Sequence, residues 1–332
     1  MKFIAEIGVN HNGSIKTAKS MIDQAVNIGA DIVKFQSYNV DLLLDKKTKK
    51  TNYQNSNLGD KNLSQYEMLK RYQLSYKNQI KLINYCNYKK IEFLTSIFDN
   101  ESLNFVKKQK LKKIKIPSGE INNFLLLNDL KNFKGELLIS TGMAETQEIE
   151  NTLNFLKSLG IKKKQITLFY CVTDYPTKFD DLNLNTLSFY KKRFQVNIGF
   201  SDHTLGIEAP IAATTYNIKY IEKHITLNKK KIGPDHKASL NIEEFQQMIK
   251  SCKNILLCLK KYKKSISTKE KRNSKYIRKY LFAKQNIKKG EKFTYQNLTA
   301  KRFGQGIPVG KLLKIINKKS KKNFKKNQII RI

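Results

Sequence analysis

Long apolar runs are missing from this sequence. None of its 332 residues begins an uninterrupted apolar stretch of the roughly 18–20 residues that a membrane span requires, so no segment is a candidate transmembrane helix. The first residues, MKFIAEIGVNHNGS, turn polar after a few positions and carry no cleavable-signal pattern. Cysteine is scarce: Cys86, Cys171, Cys252 and Cys258 form no CxxC pair, which excludes a thiolate zinc knuckle and a disulfide framework. They read as reduced, buried small hydrophobes in a cytoplasmic protein. No P-loop, GxSxG elbow or HExxH is present, and no GxGxxG follows the first strand candidate. Acidic residues are also few, 27 against 64 Lys and Arg, which leaves a net charge of +37. Such an excess raises nucleic acid or an anionic membrane as partners. The lysines, however, are spread along the whole chain among abundant Asn, Ile and Tyr, and the densest runs are 260–272, 318–322 and 325–326. Runs of this kind are usually solvated faces. The expectation is therefore no nucleic-acid and no membrane partner, with a basic nucleic-acid-binding protein as the alternative from a different class.

What is present is a core-forming chain, 40% hydrophobic and 10% aromatic, with a regular alternation of patterns up to about residue 259. Strand candidates are 2–8, 31–37, 91–98, 113–118, 136–141, 165–172, 195–202 and 218–226. They are near-continuous apolar runs, as a buried parallel sheet requires. Between them lie stretches with apolar residues three and four apart, such as Ala18, Met21, Ile22, Ala25 and Val26 within 14–28. Further helices are expected at 76–88, 100–109, 123–132, 146–159, 184–194, 206–216 and 242–259. Eight strands each followed by a helix predict an α/β fold, a closed (β/α)8 TIM barrel over 1–259. A doubly wound open sheet is the runner-up. The basic segment 260–275 reads as a linker. Residues 276–332, with strand-like 280–286 and 294–302 around a Lys-Gly-Glu turn, read as a small β-rich domain whose isolated core is marginal at this size.

In a TIM barrel catalysis sits at the C-terminal strand ends, so unusual residues there call for a functional reading. All four histidines, His11, His203, His224 and His236, map to that rim, as do Lys34 and Lys115 within sheet runs. Singly, a strand-end Ser or Thr is usually a helix cap, and a lysine can snorkel from a barrel wall. Jointly they point to a site, because a charge inside a barrel is costly unless it meets an opposite one. Two lysines with Ser96, Ser118, Ser140 and Ser201 suit a phosphate or carboxylate. His203 and His224, from adjacent strands, can share one divalent cation acting as a Lewis acid. Glu6, Glu120 and Asp235 are candidates for acid–base work or for binding sugar hydroxyls.

At these same places the sequence resembles the sialic acid synthase family, phosphoenolpyruvate-dependent nonulosonate synthases with a C-terminal antifreeze-like (SAF, β-clip) domain. The matching stretches are AEIGVNHNGS (5–14), VKFQ (33–36), KIPSGE (115–120), STGM (140–143), TDYPT (173–177), GFSDHTLGIEA (199–209), IEKHITL (221–227), GPDHKAS (233–239) and NIKKGEKFTYQNLTAKRFGQGI (286–307). The resemblance implies condensation of phosphoenolpyruvate with N-acetylmannosamine to give N-acetylneuraminate and phosphate, by C–O cleavage. The rival product is N,N'-diacetyllegionaminate, from 2,4-diacetamido-2,4,6-trideoxymannose; pseudaminate fits the GPDHKAS and SDHTLGIEA segments less well. It also implies manganese, with magnesium or cobalt as alternatives, on His203 and His224. Lys34, Ser96, Lys115, Ser118, Ser140 and Ser201 match the positions that hold phosphoenolpyruvate. Glu6, Gln36, Thr173, Tyr175 and Asp235 match the sugar positions, and Glu120 lies near the reacting carbons. Arg302 matches an arginine that reaches the sugar's N-acyl group across a domain-swapped homodimer. The chain departs from the family pattern at Ser96-Ile97-Phe98, at Phe303 after Arg302, at Thr173 in place of an Asn and at Tyr170 in place of a His.

Overall fold

The structure, a computed structural model, describes residues 1–58, 63–259 and 263–331. The first positions of the expected linker, 260–262, and the last residue of the expected C-terminal domain lie outside the described residues. The chain divides into two compact units, Met1–Lys260 and Lys261–Ile332.

The first unit is a closed parallel barrel with its strands in sequence order. They are β1 (Lys2–Gly8), β2 (Ile32–Ser37), β3 (Glu92–Ile97), β4 (Lys113–Ile116), β5 (Glu136–Ser140), β6 (Ile166–Tyr170), β7 (Asn197–Asp202) and β8 (Tyr220–His224). Side chains alternate across a strand, so two-residue steps trace the barrel's interior. At its base Ile4, Ile32, Leu94, Leu138, Phe169 and Tyr220 form one apolar cluster, all buried. One step further along the same strands come Glu6, Lys34, Ser96, Ser140 and Glu222. The opposite faces, among them Phe3, Ala5, Val33, Phe35, Ile139, Leu168 and Phe200, pack in the large outer core with the helices. Full burial of each of the larger of these side chains stabilises by roughly 1.5–3 kcal/mol.

The helices follow from spacing and caps. Ile15–Asn27 buries Ala18, Met21, Ile22 and Ala25, and Ser14 caps it by accepting from Thr17 N. The expected helices at 76–88, 100–109, 146–159, 184–194 and 242–259 form within a residue or two of those bounds. The stretch 123–132 is helical only over Phe124–Asn128, and 206–216 becomes Glu208–Ala213 plus a 3-10 turn, Thr214–Tyr216. Sequence reading overlooked three short helices between β2 and Tyr76, namely Val40–Leu43, Asn52–Leu58 and Gln65–Tyr72. Their apolar periodicity is weak, but a capping box of Ser64 with Glu67 marked the third.

The second unit holds an antiparallel pair, β9 (Lys279–Ala283) and β10 (Leu298–Arg302), in which Leu298 pairs Ala283 and Arg302 pairs Lys279. Its own core joins Leu281, Ala283, Ile287, Phe293, Leu298, Ile315, Phe324 and Ile330. The basic segment before it carries a helix, Thr268–Ile277, capped by Ser267 and Glu270, with no buried residue. No described helix is long and apolar enough to cross a membrane.

Candidate active site

A cavity of about 340 Å3 opens at the C-terminal strand ends of the barrel. Its floor is the charged layer that rests on the apolar one. Lys34, Lys115 and Glu222 are 5%, 1% and 4% exposed. Glu222 binds Lys34 Nζ through Oε1 at 2.8 Å and Lys115 Nζ through Oε2 at 3.0 Å, and accepts from Ser201 Oγ at 2.9 Å. Lys115 Nζ also lies 3.6 Å from the centroid of the Phe169 ring, a desolvated cation–π contact. Burial works against the Glu222 charge, yet Lys115 and Lys34 hold its carboxyl far below the usual range. Burial pushes Lys115 down to about 8, while Glu222 pulls the other way. Glu6, 3.5 Å from Lys34, is raised by burial to about 8. Two lysines with one committed counter-carboxylate leave a surplus of positive charge at the bottom of the pocket.

Ser96, Ser118, Ser140 and Ser201 line the cavity around this floor. Ser118 Oγ accepts from Gly142 N at 3.1 Å. Gly142 is required there: an added Cβ would lie 2.2 Å from Thr173 Oγ1 and 2.9 Å from Ser118 Oγ. Gly8 serves β1 similarly, with φ at +52° and an imagined Cβ 3.2 Å from Glu6 Oε1 and 3.3 Å from His224 Cε1. Gln36, Glu120, Thr173 and Tyr175 line the same space. Glu120, partly buried and raised by that burial, accepts from Asn123 Nδ2 at 2.7 Å. Asp235, raised to about 7 by burial, faces an adjoining chamber of about 90 Å3 that Gln36, Tyr175 and His224 also line. Arg302 belongs to the second unit, exposed at the end of β10.

The four histidines separate. His203 and His224 line the cavity, with ring centroids 5.8 Å apart. His203 Nδ1 lies 2.6 Å from Val172 O, and a carbonyl only accepts, so Nδ1 carries the proton and Nε2 is left as an acceptor. His224 Nδ1 is buried with no hydrogen-bond partner among the described residues and sits 3.7 Å from Asp235 Oδ2. Burial lowers both imidazoles, His203 to about 4, so both are neutral. A neutral pair with an orphaned nitrogen fits a divalent cation. No three His, Cys, Asp or Glu side chains meet as a ligand set among the described residues, so these two imidazoles are the candidates to hold it. His11 and His236 instead order loops. His11 Nδ1 accepts from Gly13 N at 3.0 Å, and His236 joins Thr226 Oγ1 at 2.7 Å and Asn12 Oδ1 at 3.1 Å.

Two groups of residues escaped the sequence reading. Glu222 sits in an apolar run beside Lys223, but the alternation Tyr220, Glu222, His224 places it inside the barrel. Lys223 faces outward to a buried ion pair with Asp202. The other group, Tyr53, Gln54, Gln65 and Leu69, comes from the overlooked helices and walls the mouth.

Comparison with known proteins agrees with this architecture. A family model described as the NeuB family matches residues 21–264, and one described as the SAF domain matches 278–332. An N,N'-diacetyllegionaminic acid synthase of Campylobacter jejuni is 40% identical over 99% of this chain and 98% of its own length. An enzyme of the same name from Legionella pneumophila is 34% identical over 97% of this chain and 90% of its own length. The crystal structure of an N-acetylneuraminic acid (sialic acid) synthetase from Leptospira borgpetersenii superposes with a TM-score of 0.71 at 29% identity, covering 82% of this chain and 90% of that one. With its TIM barrel and SAF domain, the chain belongs to the NeuB family, the phosphoenolpyruvate-dependent nonulosonate synthases.

Proposed function

We propose that this enzyme condenses phosphoenolpyruvate with 2,4-diacetamido-2,4,6-trideoxymannose to give N,N'-diacetyllegionaminate and phosphate. The observation that carries the reaction is the buried meeting of Lys34 and Lys115 on Glu222 beneath a ring of serines. Phosphoenolpyruvate brings a phosphate and a carboxylate to that floor. The lysines act as point charges, and Ser96, Ser118, Ser140 and Ser201 as donors. Glu222 holds both ammonium groups in place before the anion arrives. Glu6, still protonated at pH 7, donates to a sugar oxygen, and Gln36, Thr173, Tyr175 and Asp235 face the same substrate. A divalent metal, manganese in preference to magnesium or cobalt, would be held by His203 and His224 and supplies Lewis-acid polarisation of the sugar aldehyde. C3 of the enol adds to the aldehyde carbon with Glu120 nearby, water adds at C2, and phosphate leaves with its bridging oxygen.

The choice of sugar reverses the order expected from the sequence. Its support is the pair of near full-length relatives named for this product, together with the apolar wall of Leu43, Leu44 and Leu69 at the mouth. Such a wall suits a C6 methyl and acyl methyls better than hydroxyls. The second reading, N-acetylneuraminate from N-acetylmannosamine, is favoured by the likeness to the Leptospira enzyme. We assign catalysis to 1–259, a linker to 260–275, and to 276–332 a swapped-dimer role in which Arg302 reads the sugar's N-acyl group in a partner subunit, in the cytoplasm. A phosphate-release assay with phosphoenolpyruvate, manganese and both sugars tests the reading. Faster release with the diacetamido sugar is expected, and no release with any 2-acetamidomannose derivative would sink the assignment.

A further inference from the structure

The mouth of the cavity is built by helices that lie between β2 and Tyr76, and two glutamines there hold each other in a fixed arrangement. Gln54 Oε1 accepts from Thr51 N at 3.0 Å, and a backbone N–H can only donate, so the oxygen of Gln54 must be the atom that faces it. Gln65 Nε2 then donates to the same oxygen at 3.2 Å, which fixes the second amide as well. The arrangement leaves a definite remainder. Among the described residues Gln54 Nε2 reaches only the Tyr53 hydroxyl, at 3.4 Å, and keeps a second N–H, and no hydrogen bond reaches Gln65 Oε1. Gln54 is 7% exposed, so its spare donor is a buried polar group that gains most from a ligand partner.

We propose that Gln54 and Gln65 form an amide clamp that recognises a second acylamino group on the acceptor sugar. The inference rests on the diacetamido reading above and adds the residues that would enforce it. A secondary amide presents one C=O and one N–H. Gln54 Nε2 donates to that C=O, and Gln65 Oε1 accepts from that N–H. Leu43, Leu44 and Leu69 line the same cavity and take the acyl methyl out of water. A hydroxyl in place of the acylamino group would leave one member of the pair unmatched and the leucine wall unfilled, so the device discriminates by leaving buried groups unpaired.

The test is Gln54→Glu, which keeps the oxygen that serves Thr51 and Gln65 and replaces the free N–H by an acceptor. Gln65→Leu, which removes the acceptor at similar volume, is the second variant. Each is assayed with 2,4-diacetamido-2,4,6-trideoxymannose and with its analogue bearing a 4-hydroxyl. For the diacetamido sugar kcat/KM should fall by about 10–100-fold, and for the analogue by less than about threefold, with KM for phosphoenolpyruvate unchanged. Parallel losses with both sugars, or no loss with either, would overturn the clamp while a wild-type preference for the diacetamido sugar spares the functional reading. A wild type that does not favour the 4-acetamido group overturns that reading, and the clamp with it.

Discussion

Replacing Glu222 by glutamine removes the carboxylate that joins Lys34, Lys115 and Ser201 while keeping its shape. Lys34 retains Glu6 at 3.5 Å, a carboxyl that ionises more readily once the Glu222 charge is gone, so the ammonium stranded by the change is Lys115. Removing one partner of a buried ion pair destabilises by about 3–5 kcal/mol. The lower end applies here, because Lys115, already down at about 8, escapes by shedding its proton. About 3 kcal/mol corresponds to a Tm lower by about 6 °C for a barrel of this size. The pH dependence carries the sharper test. A lysine that is neutral in the folded state and charged in the unfolded one makes the unfolded state bind more protons, so stability rises with pH. In the wild type that gain starts only as pH passes through 8. In Glu222→Gln, Lys115 is already neutral at pH 7, and the slope is there close to its full 1.4 kcal/mol per unit, about. The gap between variant and wild type should therefore close by about 1 kcal/mol from pH 7 to pH 8. Glu6, relieved of the Glu222 charge, ionises more readily and acts in the same direction. The chain has no tryptophan, so unfolding in urea is followed by circular dichroism. A gap that is constant or widens between pH 7 and 8 would refute the reasoning.

His203→Ala and His224→Ala should each abolish metal-dependent turnover while circular dichroism stays that of a folded barrel; activity that survives chelation in either would reject the ligand pair. Arg302→Ala should raise the sugar KM well above any change in the phosphoenolpyruvate KM, and an unchanged sugar KM would reject its assigned role. Phe169→Ala empties a place in the inner apolar layer and withdraws the ring from Lys115, so urea unfolding should show a loss of about 3–5 kcal/mol; a loss below about 1 would mean that the charged floor does not depend on that layer.

How much of this could be read from the residues depends on how strongly each is tied to a period. β1 falls on its expected bounds, Lys2–Gly8, because six of its seven residues are buried and the run is continuous. The other strands are trimmed by one or two residues at one or both ends. Lys34 and Lys115 stood out because charge inside such a run is expensive, and both do lie on the floor of the cavity. Glu222 did not stand out, because Lys223 beside it blurred which of two adjacent charges faces inward. The period-two rule resolves it: His224 lines the cavity and Tyr220 lies in the inner layer, so Glu222 between them must point inward and Lys223 outward. The wall of Tyr53, Gln54, Gln65 and Leu69 was harder still. Its helices have seven or eight residues, too short for a helical period to rise above chance, and their positions are set by what they pack against. The motifs at strand ends therefore announce the chemistry that the barrel performs. Segments without period, whose placement only the tertiary structure supplies, line the same cavity, where the amide clamp proposed above would read the sugar.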